Sequence, residues 1–127
     1  MAKVRGKDTK PEMRVRAALH SSGLRYRLHA KELPGKPDIV FRSRRIAIFV
    51  HGCFWHRHKD CAHTRTPKTR VEFWEGKFAQ NEARDRAVAT RLNEIGWTVI
   101  TVWECETANG ERLKRVLDQI ASTPIQR

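Results

Sequence analysis

Apolar positions along this chain switch between a helical and an alternating period. The first periodic stretch begins at Thr9-Lys10-Pro11-Glu12. Thr is a good N-cap, Pro is tolerated in a first helical turn, and Glu three residues after the Thr completes a capping box. Val15 and Leu19 continue the face begun by Glu12, and Gly23 ends the helix. Three short strand-like runs follow: Leu24–His29, Lys36–Arg42 after the turn Leu33-Pro34-Gly35, and Arg45–Val50. Phe41–Ile46 makes a tight hairpin with an Arg-rich tip. A polar loop rich in His and Cys runs from His51 to about Pro67. A long helix is expected from about Arg70 to Glu94, with Val71, Trp74, Phe78, Val88, Leu92 and Ile95 as its apolar stripe. Asn81 and Asp85 interrupt that stripe. Gly96 stops the helix. Trp97–Trp103 has few polar groups and is expected to be a central, buried strand. A last amphipathic helix covers about Gly110–Ala121. Helix, three strands, helix, strand and helix predict an α/β sandwich around a mixed four-stranded sheet.

The chain has 127 residues, the size of one domain, and its charge is uneven. The formal net charge is +12; residues 1–45 hold a net +9 and the remainder only +3. A basic amino-terminal third points to a polyanion, most often nucleic acid. Residues 1–8 are charged and aperiodic and read as a mobile basic arm, leaving 9–127 as a single domain. The longest run without Asp, Glu, Lys or Arg is Ile46–His56, too short to span a membrane. The first residues hold no apolar run, so no secretory signal is expected. Three cysteines cannot all pair, which favours a reducing cytoplasm and cysteine as a metal ligand or buried thiol.

Two regions carry candidate chemistry. Asp38 lies in an apolar strand, where a carboxylate needs a cation or donors unless it merely begins the strand in a turn. From His51 to His63, 13 residues hold four of the six His and two of the three Cys. Cys53, His58 and Cys61 can wrap one zinc ion. Cys105, after the last strand, can return to close a Cys3His site, with His63 as the competing ligand; incidental surface residues are the plainer alternative. His51 and His56 are then left over, and imidazole is the commonest general acid or base. Asp85 is their orienting partner or, equally, half of a buried salt bridge. For Glu12 the residues alone favour the capping box. Phe54 and Trp55 are adjacent aromatics in a polar loop, suited to stacking on bases or to covering the zinc site. Trp74 reads as core.

Together the segments VRGKDTKPE (4–12), LPGKPDIV (33–40), VHGCFWHRH (50–58), KTRVEFW (68–74), NEARDR (81–86) and GWTVITVWEC (96–105) resemble the very short patch repair (Vsr) endonucleases, which nick DNA at thymine–guanine mismatches. The resemblance implies a restriction-endonuclease-like three-layer fold with a zinc-binding loop. It implies catalytic magnesium, as two ions, on Asp38 and the Val50 main-chain carbonyl. His51 and His56 match the catalytic histidines, and Glu12 and Asp85 the carboxylates around them, which overrides the capping box. Cys53, His58, Cys61 and Cys105 match the structural zinc ligands. Phe54 and Trp55 match aromatics that enter the DNA stack, Trp74 another near it, and Met1 an intercalating methionine. His58 to Cys61 is one residue longer than in some relatives, so His63 stays in competition. The usual nuclease Glu-x-Lys is replaced by His51, as in the family.

The expected mechanism is metal-assisted hydrolysis of one strand of a mismatched duplex by a cytoplasmic, nucleoid-associated monomer. His56 steered by Asp85 is the base, and His51 positions or protonates near the leaving oxygen. Lys3, Arg5, Lys7 and the Arg42, Arg44 and Arg45 hairpin grip phosphates. The rival expectations are a non-catalytic zinc module that binds DNA, and a restriction or defence nuclease of the same fold without mismatch preference.

Overall fold

A computed structural model of the chain describes residues 9–59, 61 and 66–125; the side chain of Trp55 is outside this description. So are the predicted basic arm with Met1, Lys3, Arg5 and Lys7, and the competing ligand His63.

Helix α1 (Lys10–Ser21) starts as the sequence predicts. Thr9 is extended, and its Oγ1 accepts a hydrogen bond from the Glu12 N–H at 3.3 Å. Glu12, Val15 and Leu19 form its buried face. Strands β1 (Arg27–Leu28), β2 (Ile39–Phe41) and β3 (Ile46–His51) follow as an antiparallel meander. A single turn, α2 (Cys53–His56), leaves the end of β3. Helix α3 (Val71–Glu94) then crosses over to β4 (Thr98–Trp103), which pairs parallel with β3. A parallel neighbour cannot be reached by a tight turn, and α3 is the crossover it requires. A 3₁₀ turn (Glu104–Ala108) leads into α4 (Gly110–Ser122).

The sheet order is β1-β2-β3-β4, a mixed four-stranded sheet with helices on both faces. Side chains of a strand alternate between faces. Ile39, Phe41, Ile46, Ile48, Ile100 and Val102 therefore meet Val15 and Leu19 of α1 and Val116 and Ile120 of α4. The opposite set, Val40, Ala47, Phe49 and Val99, meets Val88 and Leu92 of α3. Asp38 and His51 have the same parity as this second set, so the alternation turns both toward α3.

The structure corrects four expectations. Strand β4 is an edge strand, not a central one; only Ile100 and Val102 are buried, because α1 and α4 cover that face while its other face lines a cleft. Strand β1 shrinks to two exposed residues, since Leu24 and Tyr26 pack on the core from outside the ladder. Val71 and Ile95, at the ends of the predicted stripe, are exposed, because α3 outruns the sheet beneath it. The His- and Cys-rich segment is not wholly loop, as α2 occupies its first turn.

Candidate active site and metal centre

Asp38 is fixed by the ladder that β2 extends toward its amino end. Its N–H donates to the Ile48 carbonyl at 3.1 Å, and its own carbonyl accepts from the His29 N–H at 2.9 Å. The carboxylate turns back, and its Oδ2 accepts from the Val50 N–H at 2.7 Å. Burial pushes its pKa up to about 6; the Val50 hydrogen bond lowers it, and the nearby Glu12 carboxyl raises it.

Glu12 is buried, and its carboxylate does not close the capping box among the described residues. Instead it reaches Arg16, one helical turn on, and the His29 Nε2 at 3.0 Å. Ligand atoms of Glu12, His29 and Asp38 all lie within 4.8 Å of one another.

His51, at the end of β3, and His56, at the end of α2, stack with ring centroids 3.9 Å apart and planes 7° apart. Asp85 comes from the middle of α3, and its Oδ2 lies 2.6 Å from the His56 Nδ1. A carboxylate only accepts, so the His56 Nδ1 carries the proton and its Nε2 keeps a lone pair. Burial, reinforced by His56, depresses the His51 pKa to about 4, so His51 is neutral at physiological pH. Its buried Nδ1 has no hydrogen-bond partner among the described residues. A cleft of about 830 Å³ joins these groups; Glu12, Asp38, Val50, His51, His56 and Asp85 all line it, with Lys36 and Arg84 as cations on its walls.

The second cluster lies beside this cleft. Ligand atoms of Cys53, His58, Cys61 and Cys105 fall within 4.8 Å of one another. His58 Nδ1 is 3.7 Å from the Cys53 Sγ and 3.3 Å from the Cys105 Sγ. Zn–S and Zn–N bonds of about 2.3 and 2.0 Å at tetrahedral angles require ligand separations of about 3.5–3.8 Å. The two His58 separations lie close to this spacing, and three thiols with one imidazole fit zinc in chemistry. None of the three cysteines forms a disulfide. Burial pushes the Cys53 thiol up to about 12 and raises Cys105 as well, so a cation that binds here must displace thiol protons. The oxygen donors of Asp38 and Glu12 suit a different ion: two crowded carboxyls fit a hard divalent cation such as magnesium, which would relieve their repulsion.

The structure gathers the predicted catalytic residues and the four predicted zinc ligands; of the predicted DNA contacts, Phe54, Trp74, Arg44 and Arg45 have described side chains. Phe54 packs edge-on against Trp74 and Phe78 of α3, at 5.8 and 5.1 Å between centroids. Arg44 and Arg45 sit at the tip between β2 and β3, about 20 Å along the strand from His51. There the Arg44 guanidinium donates to the Thr123 carbonyl at 2.5 Å, while Arg42 pairs with Glu32. Three residues escape the sequence reading. His29 joins Glu12. Trp103 stacks on His58 at 4.3 Å and meets His51 edge-on at 5.3 Å. Glu104 accepts from the Cys53 N–H at 3.3 Å and lines the cleft. The parity of β4 points Trp103 to the cleft face; the roles of His29 and Glu104 depend on folding that spacing does not reveal.

Acid–base imidazoles set against paired oxygen donors are the working parts of metal-assisted hydrolases. Sequence comparison gives the class a family. The family model described as "DNA mismatch endonuclease Vsr" matches residues 1–63. The type II nicking enzyme V.XorIIP of Xanthomonas oryzae pv. oryzae is 49% identical over 122 residues, covering 93% of this chain and 89% of that protein. V.NmeAIP, a type II nicking enzyme of Neisseria meningitidis serogroup A, is 44% identical over 94% of this chain and 88% of its own length. The DNA mismatch endonuclease Vsr of Escherichia coli K12 is 43% identical over 89% of this chain and 72% of its own. The chain belongs to the Vsr endonuclease family.

Proposed function

We propose that this chain is a strand-specific DNA endonuclease that nicks duplex DNA at thymine–guanine mismatches by magnesium-dependent phosphodiester hydrolysis, initiating very short patch repair. The observation that carries the proposal is the convergence of Asp38, Glu12, His51, His56 and Asp85 on one cleft, beside a separate four-ligand cluster. Relatives named as nicking enzymes and as a mismatch endonuclease support the same reading. Residues 9–127 are one endonuclease domain, and the sheet with helices on both faces suits a restriction-endonuclease-like fold. The protein works as a cytoplasmic monomer.

Asp38 and the Val50 carbonyl would hold the magnesium, with Glu12 beside them. Bound there, magnesium supplies Lewis-acid chemistry: it acidifies water and offsets phosphoryl charge. His56, with Nδ1–H on Asp85, accepts the proton of the attacking water at Nε2. His51, neutral and stacked on His56, orients groups near the leaving oxygen; its depressed pKa removes it as a ready proton donor. Zinc on Cys53, His58, Cys61 and Cys105 holds α2, and so His56, at the end of the sheet. Cationic Lys36 and Arg84 face the phosphates, and the basic arm adds affinity without sequence information. A wobble pair unstacks more easily than a matched pair, so insertion of Phe54 and Trp55, with Trp74 against Phe54 and Met1 as a further intercalating side chain, costs least at a mismatch.

The test is nicking of a supercoiled circle and of matched and mismatched linear duplexes with magnesium. Wild type is expected to nick the mismatched duplex on one strand, and Asp38→Ala is expected to lose at least about a thousandfold in rate, the scale of removing a main electrostatic stabiliser. Equal nicking by the two proteins sinks the catalytic reading. Equal rates on matched and mismatched duplexes turn it toward a restriction or defence nuclease.

A further inference from the structure

We propose that His29 is a positioning residue of the cleft, a third histidine that locks the Glu12 carboxylate beside Asp38. The inference rests on Asp38 and Glu12 being the oxygen donors of a divalent-cation site. His29 touches both: its main-chain N–H donates to the Asp38 carbonyl at 2.9 Å, and its imidazole Nε2 lies 3.0 Å from the Glu12 Oε2. The Glu12 carboxylate of α1 and the backbone that carries Asp38 are thereby linked through a single residue.

Three observations separate this from incidental contact. First, Glu12 is 2% exposed and already has a cationic partner in Arg16. Its charge is met within its own helix, so the contact from the residue after β1 adds orientation rather than neutralisation. Second, His29 adopts a left-handed backbone, with φ of 47°. For a residue with a Cβ this conformation costs free energy, and such strain gathers at functional positions. Here it turns the chain out of β1 while the hydrogen bond to Asp38 is kept. Third, Arg16 and His29 converge on the same oxygen of Glu12, with the Arg16 Nη2 3.4 Å from the His29 Nε2. Two donors from two different elements leave that carboxylate little rotation. Groups that orient the residues around a metal commonly matter tenfold to a hundredfold for affinity or rate.

Two substitutions separate side-chain reach from backbone fit. Asn tolerates the left-handed region, so His29→Asn keeps the turn but stops short of Glu12. His29→Gln restores an N–H donor at the place of Nε2. Zinc-replete full-length proteins are compared by manganese binding without DNA, followed by electron paramagnetic resonance, and by single-turnover nicking of a mismatched duplex. His29→Asn is expected to weaken manganese binding at least tenfold and to slow nicking by about 10–100-fold, with duplex affinity unchanged. His29→Gln is expected to recover most of both. Manganese binding by His29→Asn equal to wild type overturns the proposal, and so does a loss that His29→Gln does not recover. Wild type that binds manganese in a His29-dependent way yet nicks no duplex leaves His29 standing and removes the nuclease reading instead.

Discussion

Burial makes Asp38 costly to the fold in the absence of a cation. A carboxyl whose ordinary value is 3.8 is held at about 6, so the protonated form is favoured by the native state. Its contribution to stability is complete below about pH 4 and is lost as pH rises through 6. Asp38→Asn keeps an acceptor for the Val50 N–H and removes the charge. In EDTA at pH 7.5 the variant is expected to be more stable than wild type by about 2–3 kcal/mol, from roughly two pK units at 1.36 kcal/mol each. The advantage is expected to shrink through pH 6 and to vanish below pH 4, while nicking is abolished. Urea denaturation of both proteins across this range checks it. The difference between them is the right quantity, because His51 acts with the opposite sign: its pKa is depressed from 6.5 to about 4, so it withdraws stability as pH falls through that window. No advantage for Asp38→Asn at pH 7.5 contradicts the cost assigned to this carboxylate.

At the scale of elements, the turn before β2 controls how closely α3 approaches the sheet. Gly35 has a φ of +74°, and a Cβ there would lie 2.4 Å from Val88 Cγ1. Gly35→Ala therefore meets both backbone strain and a clash with α3, and is expected to cost about 2–4 kcal/mol. Adding Val88→Ala removes the two closest contacts, leaving its Cβ at 3.2 Å, but not the strain, so the double variant is expected to be more stable than the sum of the two single changes predicts. A double-mutant cycle by chemical denaturation measures the coupling; strict additivity refutes the contact. The sequence shows the turn and helix α3 but not their meeting. Residues whose chemistry follows a local period were legible: Val15 and Leu19 on α1, Asp85 on the inward stripe of α3, and His51 at the end of β3. What was not legible depends on pairing between distant segments. The register Leu28 opposite Ile39 brings His29 to Asp38, and nothing in the spacing of β1 announces it. Strand β4 reads as central from its apolar content, yet the cleft needs it at the edge. The hydrogen bond from Arg44 to the Thr123 carbonyl at the end of α4 is equally invisible in the spacing.

Across the whole molecule, the Cys3His cluster and the cleft form one mechanical unit. Cys53 and His56 share the single turn α2, which is too short to persist on its own. Its amino end is held by Glu104, and its cysteine lies among ligands from 52 residues farther along the chain. Trp103 bridges the two stations, with one ring contact to His58 and another to His51. Loss of zinc should therefore release His56 from Asp85 as well as loosen the end of the sheet. Binding of duplex DNA draws on a net charge of +12, most of it in residues 1–45 and away from the cluster in sequence, and should suffer far less. Cys105→Ser is expected to carry less than about half an equivalent of zinc and to melt at least about 10 °C lower, given the several kcal/mol that a structural zinc contributes. Its single-turnover nicking is expected to fall at least about tenfold further than its affinity for the same duplex, since outer supports of this kind act on rate. Metal analysis, thermal melting, nicking and a binding titration on one preparation measure all four. A Cys105→Ser protein that keeps its zinc and its melting temperature removes the metal centre; one that loses zinc but nicks normally shows that the cluster and the cleft are independent.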